Sequence, residues 1–207
     1  MQTLGAALVV SNHQGAIGPI QCILSLPIRL YPWVIADMVD PKKNSDYLLK
    51  DFVNPTFHIN GKIGKNISNV ISMVALPLLQ KIDCIPVDRH DARFLGAFRS
   101  SLELLKKQRT VLIFPEDPNT PMKDQSGIRS FMNGFLWLCP MYKRVTRKVL
   151  PVIPVAVCPT KRKIVVDEPI YYEDSGQPKQ DMLYLSHILE RKINELYTNI
   201  LKCNNKV

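Results

Sequence analysis

The residue of this chain best suited to chemistry is His13, which lies in the run NHQG (Asn12–Gly15) directly after an apolar stretch. A neutral imidazole has an unperturbed pKa of about 6.5 and can take up a proton near neutral pH. A catalytic histidine is commonly oriented by a carboxylate. Neither Asp nor Glu occurs in QGAIGP, the residues that follow. His13 therefore has two interpretations, a working base or the remnant of one.

Two further polar clusters occupy comparable positions in the chain. PEDPNT (Pro115–Thr120) follows the β-rich run TVLIF, and DRHD (Asp88–Asp91) follows CIPV. Because ligand sites of parallel sheets lie beyond the carboxyl ends of the strands, residues after each strand can converge there. With the cluster around His13, they predict one site at that edge.

Apolar patterning predicts the elements that position these clusters. Short runs rich in β-branched residues predict strands at 4–11, 30–38, 84–87, 110–114, 149–157 and 163–167. Helical spacing predicts helices at 16–26, 67–79, 94–108, 129–138 and 179–202. Segment 40–65 shows no clean period and predicts a long connection or insertion flanking the site. Strands alternating with helices predict an α/β fold, a single domain over 1–207 with a mostly parallel central sheet flanked by helices.

The charge of the chain limits its partners. It has 27 Lys and Arg against 18 Asp and Glu, a formal net charge of +9. Such an excess favours phosphorylated metabolites, nucleic acid or an acidic membrane surface, although a merely solvated basic face explains it equally well. The basic runs YKRVTRK and TKRK lack the aromatic interleaving of nucleic-acid modules. We therefore expect no nucleic-acid partner.

Cysteine usage and hydropathy predict a cytoplasmic protein. The five cysteines form no CxxC pair, and most lie in apolar stretches, which is typical of free thiols in a reducing compartment. We expect no signal peptide. The most apolar segment, 16–39, is interrupted by Pro19, Pro27, Arg29 and Pro32, which argues against a spanning helix. Any membrane contact is expected to be peripheral, at the cytoplasmic face.

Four blocks of the sequence carry a resemblance to a known family. In order and spacing, NHQGAIG, IPVDR, FPEDPNT and LPVIPVAV resemble the blocks of the glycerol-3-phosphate and lysophosphatidate acyltransferases, the PlsC-like family. The resemblance extends from about Leu4 to Pro169. It implies an acyltransferase of phospholipid biosynthesis, which moves an acyl group from a coenzyme A or acyl carrier protein thioester to a hydroxyl of a glycerolipid-like acceptor.

The resemblance also implies roles for individual residues. His13 is the general base, Arg89 binds the phosphate of the acceptor, and Glu116 shapes the acceptor pocket. Asn12 and Gln14 flank the base and are candidate substrate contacts. Guanidinium suits phosphate because it forks onto two oxygens, although an ion pair of Arg89 with a neighbouring Asp is an equally good interpretation. No metal and no resident cofactor is expected, since the thioester is a co-substrate.

Two departures from the family pattern bear on activity. Gly18 stands where the family has the Asp that pairs with the catalytic histidine. Asp117, Pro118, Asn119 and Thr120 replace the Gly, Thr, Arg and Ser expected after FPE. One hypothesis is that Asp117 supplies the missing carboxylate to His13 from the neighbouring loop. The alternative is that both blocks have drifted after catalysis was lost.

The sequence therefore favours an active acyltransferase, because His13, Arg89 and Glu116 stand in their expected places. The alternative is a non-catalytic relative that binds acyl chains, an acyl carrier protein or a membrane, which the absent Asp favours. A basic nucleic-acid-binding domain is the third class, and only the net charge favours it.

Overall fold

The structure is a computed structural model of the chain and describes residues 5–15, 17–59, 61–88, 95–122 and 128–203. Its strands are β1 (Ala7–Ser11), β2 (Leu30–Ile35), β3 (Ile85–Val87), β4 (Thr110–Ile113), β5 (Pro151–Cys158), β6 (Lys163–Val166) and β7 (Ile170–Tyr171). Its α-helices are α1 (Ile17–Ser25), α2 (Ala36–Val39), α3 (Asn44–Leu48), α4 (Asn54–Phe57), α5 (Gly61–Lys81), α6 (Leu95–Lys106), α7 (Leu138–Thr146) and α8 (Pro178–Lys202). A π-helical turn occupies Leu49–Val53, and 3₁₀ turns occupy Gly134–Trp137 and Pro159–Lys161.

The chain divides into two compact units, residues 1–30 with 101–207 and residues 31–100. In the first unit, β1 lies between β4 and β5 and runs parallel to both, so that Val10 lies opposite Ile113 and Pro154. Strands β6 and β7 pair antiparallel with β5, and helices α1 and α8 pack against β5. The prediction of an α/β fold with a mostly parallel sheet flanked by helices is confirmed, and that of a single domain stays a prediction.

The core of the first unit explains why its strands read as unbroken apolar runs. Every residue of β1 and β4 is buried, as is all of β5 after Pro151. Strands of a parallel sheet that is covered on both faces have this composition. The cluster around β1 consists of Ala7, Val9, Cys22, Leu30, Leu112, Ile153, Val155 and Val157. Burial of these side chains fixes the end of β1 and hence the position of His13.

In the second unit, β2 and β3 pair in parallel, with Val34 opposite Pro86. The long connection expected over 40–65 is wrong, because α3, the π-helical turn, α4 and the start of α5 occupy most of it. Buried polar groups hold these helices beside the apolar Leu48 and Val53; the Asn44 side-chain amide, for example, donates to the Met38 carbonyl. Such contacts leave no apolar period in the sequence, so the periodicity argument failed there.

Two predictions for the C-terminal half have different outcomes. The helix expected at 129–138 is displaced, because α7 begins only at Leu138. The residues before it pair with the loop after β4 through backbone hydrogen bonds. The Asp117 amide donates to the Ser130 carbonyl over 2.8 Å, and the Met132 amide donates to the Pro115 carbonyl over 2.8 Å. The C-terminal helix expected at 179–202 is confirmed as α8.

Candidate functional site

His13 lies immediately beyond the carboxyl end of β1 and is exposed at the surface. The neighbouring strand β4 ends in register, so the residues after it lie beside the histidine. The Phe114 ring meets the imidazole edge to face, with ring centroids 5.3 Å apart and an interplanar angle of 82°. Parallel strands that end together thus bring NHQG and the start of PEDPNT to one place, whereas Arg89, His90 and Asp91 of DRHD lie outside the described residues.

The surroundings of the His13 imidazole favour its neutral form. The surrounding protein displaces part of the water that would solvate the charged ring, and this desolvation lowers the pKa of His13. A hydrogen bond to the residue's own backbone opposes the effect but is the smaller influence. The ring is therefore available as a proton acceptor at neutral pH.

Glu116 fixes the backbone on which His13 is carried. Its Oε1 accepts a hydrogen bond of 2.6 Å from the backbone amide of His13, and its Oε2 accepts one of 3.2 Å from the amide of Arg129. Burial raises the pKa of Glu116 above its ordinary value, while the two amides and the Arg129 charge oppose the shift and Glu190 adds to it. Because each carboxylate oxygen accepts a backbone amide, the role that the contacts indicate is positioning.

Asp117 does not meet the imidazole. Among the described residues, no hydrogen bond or ion pair joins its carboxylate to His13; Oδ1 instead accepts the Asn119 amide over 2.9 Å. The reason is local, since successive side chains of an extended segment point to opposite sides. Glu116 faces the loop that follows β1, which directs Asp117 away from it.

The Gly18 position is closely packed. A Cβ atom placed there would lie 3.2 Å from the Cβ of Gln14 and 3.4 Å from Cγ1 of Val157. A larger residue at 18 therefore requires its neighbours to shift by a few tenths of an ångström. Within the described chain, no carboxylate hydrogen-bonds to the His13 ring, so the imidazole lacks the orienting group that the family pattern provides.

Asn12 and Gln14 connect the loop to the rest of the first unit. The Asn12 side chain is buried; its Nδ2 donates to the Val157 carbonyl over 2.9 Å, and its Oδ1 accepts the Val157 amide over 2.8 Å. The Gln14 Oε1 accepts a hydrogen bond of 3.2 Å from the Tyr197 hydroxyl on α8. Both residues, expected as substrate contacts, hold His13 between β5 and α8.

Arg89, expected to bind phosphate, lies outside the described residues. Sequence reasoning missed Arg129, whose guanidinium donates to the Thr120 carbonyl and, over 2.8 Å, to that of Pro118. It also missed Tyr197. Tyr197 is far along the chain from Gln14, and the contacts of Arg129 are to backbone carbonyls, which no residue type marks in the sequence.

A groove of about 450 Å³ runs along α8 beside the segment that precedes α7. Ile128 and four residues of α8 line it: His187, Glu190, Arg191 and Asn194. Pockets for apolar ligands are lined mainly by apolar side chains. This lining is mostly polar, so we do not assign the groove to an acyl chain.

No protein-family profile, curated protein or solved structure gives a significant match to the chain. No described helix combines the length and apolar character needed to cross a membrane. Within the described ranges, no group of three His, Cys, Asp or Glu side chains is placed to hold a metal ion. The argument for function therefore rests on the residues around His13.

Proposed function

We propose that the protein transfers an acyl group from a coenzyme A or acyl carrier protein thioester to a hydroxyl of a glycerolipid-like acceptor, with His13 as general base. The observation that carries this proposal is the exposed imidazole at the sheet edge, whose lowered pKa keeps it neutral. The resemblance of the four sequence blocks to the PlsC-like acyltransferases supports the same reaction.

The reaction balances without a further reactant. A ring nitrogen of His13 takes the proton of the acceptor hydroxyl while its oxygen attacks the thioester carbonyl carbon. The tetrahedral intermediate then collapses, the carbon–sulfur bond breaks, and the imidazolium returns its proton to the thiolate. The products are an ester and a free thiol.

An apolar strip near His13 suits the acyl substrate, and the net charge of the chain suits an anionic acceptor. Helix α1 begins four residues after His13 and exposes Ile17, Ile20 and Leu24 on one side, an apolar strip on which an acyl chain can lose contact with water. The net charge of +9 favours an anionic acceptor. The binding of the acceptor phosphate by Arg89, a residue outside the described ranges, stays a prediction of the resemblance.

The test is thiol release from acyl-coenzyme A in the presence of glycerol 3-phosphate or lysophosphatidate. His13→Asn is expected to reduce turnover by about 10²-fold, the lower end for a general base, because no carboxylate orients the ring. The matched control is His58→Asn, at an exposed position of left-handed backbone (φ 55°) that Asn tolerates. Equal turnover by wild type and His13→Asn would contradict the proposal.

A second variant tests the missing carboxylate. Gly18→Asp restores the family residue, and a carboxylate reaching the imidazole raises its pKa and stabilises the imidazolium. We expect higher turnover than wild type, despite the crowding against Gln14 and Val157. Gly18→Asn has nearly the same shape without the charge and is expected to give no gain.

The second candidate function is a non-catalytic relative that binds acyl chains. It is favoured by one observation, that no carboxylate hydrogen-bonds to the His13 ring within the described chain. Its signature would be a wild type that releases no thiol with any acceptor yet displaces a fluorescent fatty acid from its complex. That result would replace the acyltransferase proposal.

A further inference from the structure

Helix α5 packs against its own unit through its smallest residues. Of its 21 residues, only Gly64 and Ser68 are buried. A Cβ atom on Gly64 would lie 2.6 Å from the Ile59 carbonyl oxygen, so another residue could not approach as closely. The Ser68 hydroxyl lies 3.1 Å from that of Ser45 on α3. Beside them, Ile67, Ile71, Leu76 and Leu79 are partly buried, so no large apolar side chain of this long helix is fully buried.

The opposite side of α5 presents large apolar side chains to solvent. A helix on the surface of a globular protein usually turns polar residues to solvent and its apolar stripe inward, whereas α5 carries apolar residues on both sides. Apolar side chains clustered on one exposed face mark an interaction surface. The residues of this apolar face are between 58 and 77% exposed: Ile63, Val70, Met73, Val74 and Leu78.

The charge of α5 indicates what covers this face. The helix carries Lys62, Lys65 and Lys81 and contains neither Asp nor Glu. Lys65 pairs with Asp46, whereas Lys62 and Lys81 lie at opposite ends of the helix. A lysine in the first turn opposes the helix dipole, so helix stability does not explain Lys62. An anionic surface in contact with the apolar face would interact favourably with both end lysines.

We propose that α5 is an interfacial membrane helix. Its apolar face inserts between the headgroups and the acyl chains of an anionic lipid bilayer, and its lysines contact the headgroups. Amphipathic helices that bind bilayers in this way combine an apolar face with basic residues. The proposal is independent of catalysis, and membrane binding can be measured without turnover.

The experiment is flotation of the full chain with vesicles of equal parts phosphatidylglycerol and phosphatidylcholine. The triple variant Val70→Gln, Met73→Gln and Val74→Gln is expected to bind at least about tenfold more weakly, because polar side chains replace buried apolar area. The control triple changes exposed apolar residues elsewhere to Gln: Val145, Val149 and Leu183. It is expected to bind as wild type does.

A second pair of changes tests the charge. Lys62→Gln with Lys81→Gln is expected to weaken binding to the anionic vesicles by roughly fivefold per lysine at low salt, since each lysine near such a surface contributes about 1 kcal/mol. Binding to pure phosphatidylcholine vesicles is expected to change little. Far-UV circular dichroism and thermal unfolding establish that each variant is folded.

Three outcomes would overturn the proposal. If wild type does not float with the anionic vesicles, α5 does not bind such a membrane. If the α5 triple and the control triple lose vesicle binding equally, α5 is not the membrane contact. Sedimentation of vesicle-free wild type as a dimer that only the α5 triple dissociates would assign the face to a second copy of the chain. If wild type floats with the vesicles but releases no thiol from acyl-coenzyme A, only the acyltransferase function is refuted.

Discussion

At the scale of single residues, two carboxylates at the end of one strand have different environments. Glu116 accepts the His13 and Arg129 amides, whereas Asp117 closes a turn with Asn119. The side-chain alternation of an extended segment produces this difference. The backbone of His13 is therefore fixed by a carboxylate, while its ring packs edge to face against Phe114.

The lowered pKa of His13 predicts how stability depends on pH. Because the folded protein binds the proton more weakly than the unfolded chain, stability is lost as the pH falls from about 6.5 towards the folded pKa. His13→Asn removes this contribution, so its unfolding free energy should fall less than that of wild type over the same interval. Urea unfolding at several pH values measures this, and NMR titration should place the His13 pKa below the ordinary value. A His13 resonance that titrates above that value would contradict the prediction.

Glu116→Gln tests the positioning role. The amide can accept one of the two backbone donors but turns its own NH₂ towards the other, leaving that donor unsatisfied at a cost of about 1–3 kcal/mol. Urea unfolding measures the loss, and thiol release should fall with it because His13 is displaced. Glu168→Gln, at an exposed position, is the control and should leave both unchanged. An unaltered unfolding free energy in Glu116→Gln would mean that the two hydrogen bonds contribute little.

At the scale of elements, the Asn12 amide joins the end of β1 to β5 through both of its polar atoms. Asn12→Asp removes the donor to the Val157 carbonyl and buries a charge, so we expect a loss of about 3 kcal/mol or more. Asn199→Asp, on the exposed side of α8, should change stability little. Thermal unfolding measures both variants, and similar melting temperatures would contradict the prediction.

The same scale explains how far the sequence could predict the structure. Apolar runs located β1, β4 and β5 because these strands are buried on both faces. The helices within 40–65 could not be predicted, because buried polar groups such as Asn44 interrupt their apolar pattern, and the placement of Asn12 could not, because its partner Val157 lies far along the chain. That Glu116 lies close to His13 could be predicted, because β1 and β4 are parallel and end together. That Glu116 and not Asp117 faces the histidine could not be predicted from the sequence.

At the scale of the whole molecule, the five cysteines report on global unfolding. All are free; Cys203 is exposed, Cys84 is half-buried, and Cys22, Cys139 and Cys158 are buried. Burial raises the pKa of Cys139 to about 12, so its reactive thiolate is scarce in the folded chain. Iodoacetamide followed by mass spectrometry should modify Cys203 first and Cys139 only in urea. Early modification of Cys139 in the native protein would contradict this packing.

The prolines of β5 affect the chain before it folds. The strand PVIPVAVC is apolar and uncharged, and such a segment, when exposed, can pair with copies of itself and seed aggregation. Pro151 and Pro154 have no amide hydrogen, so each interrupts the continuous backbone pairing that an intermolecular sheet requires. In the folded protein the Pro154 carbonyl accepts the Asp167 amide over 3.0 Å. The same residues that form the interior of the sheet therefore protect the newly made chain from self-association.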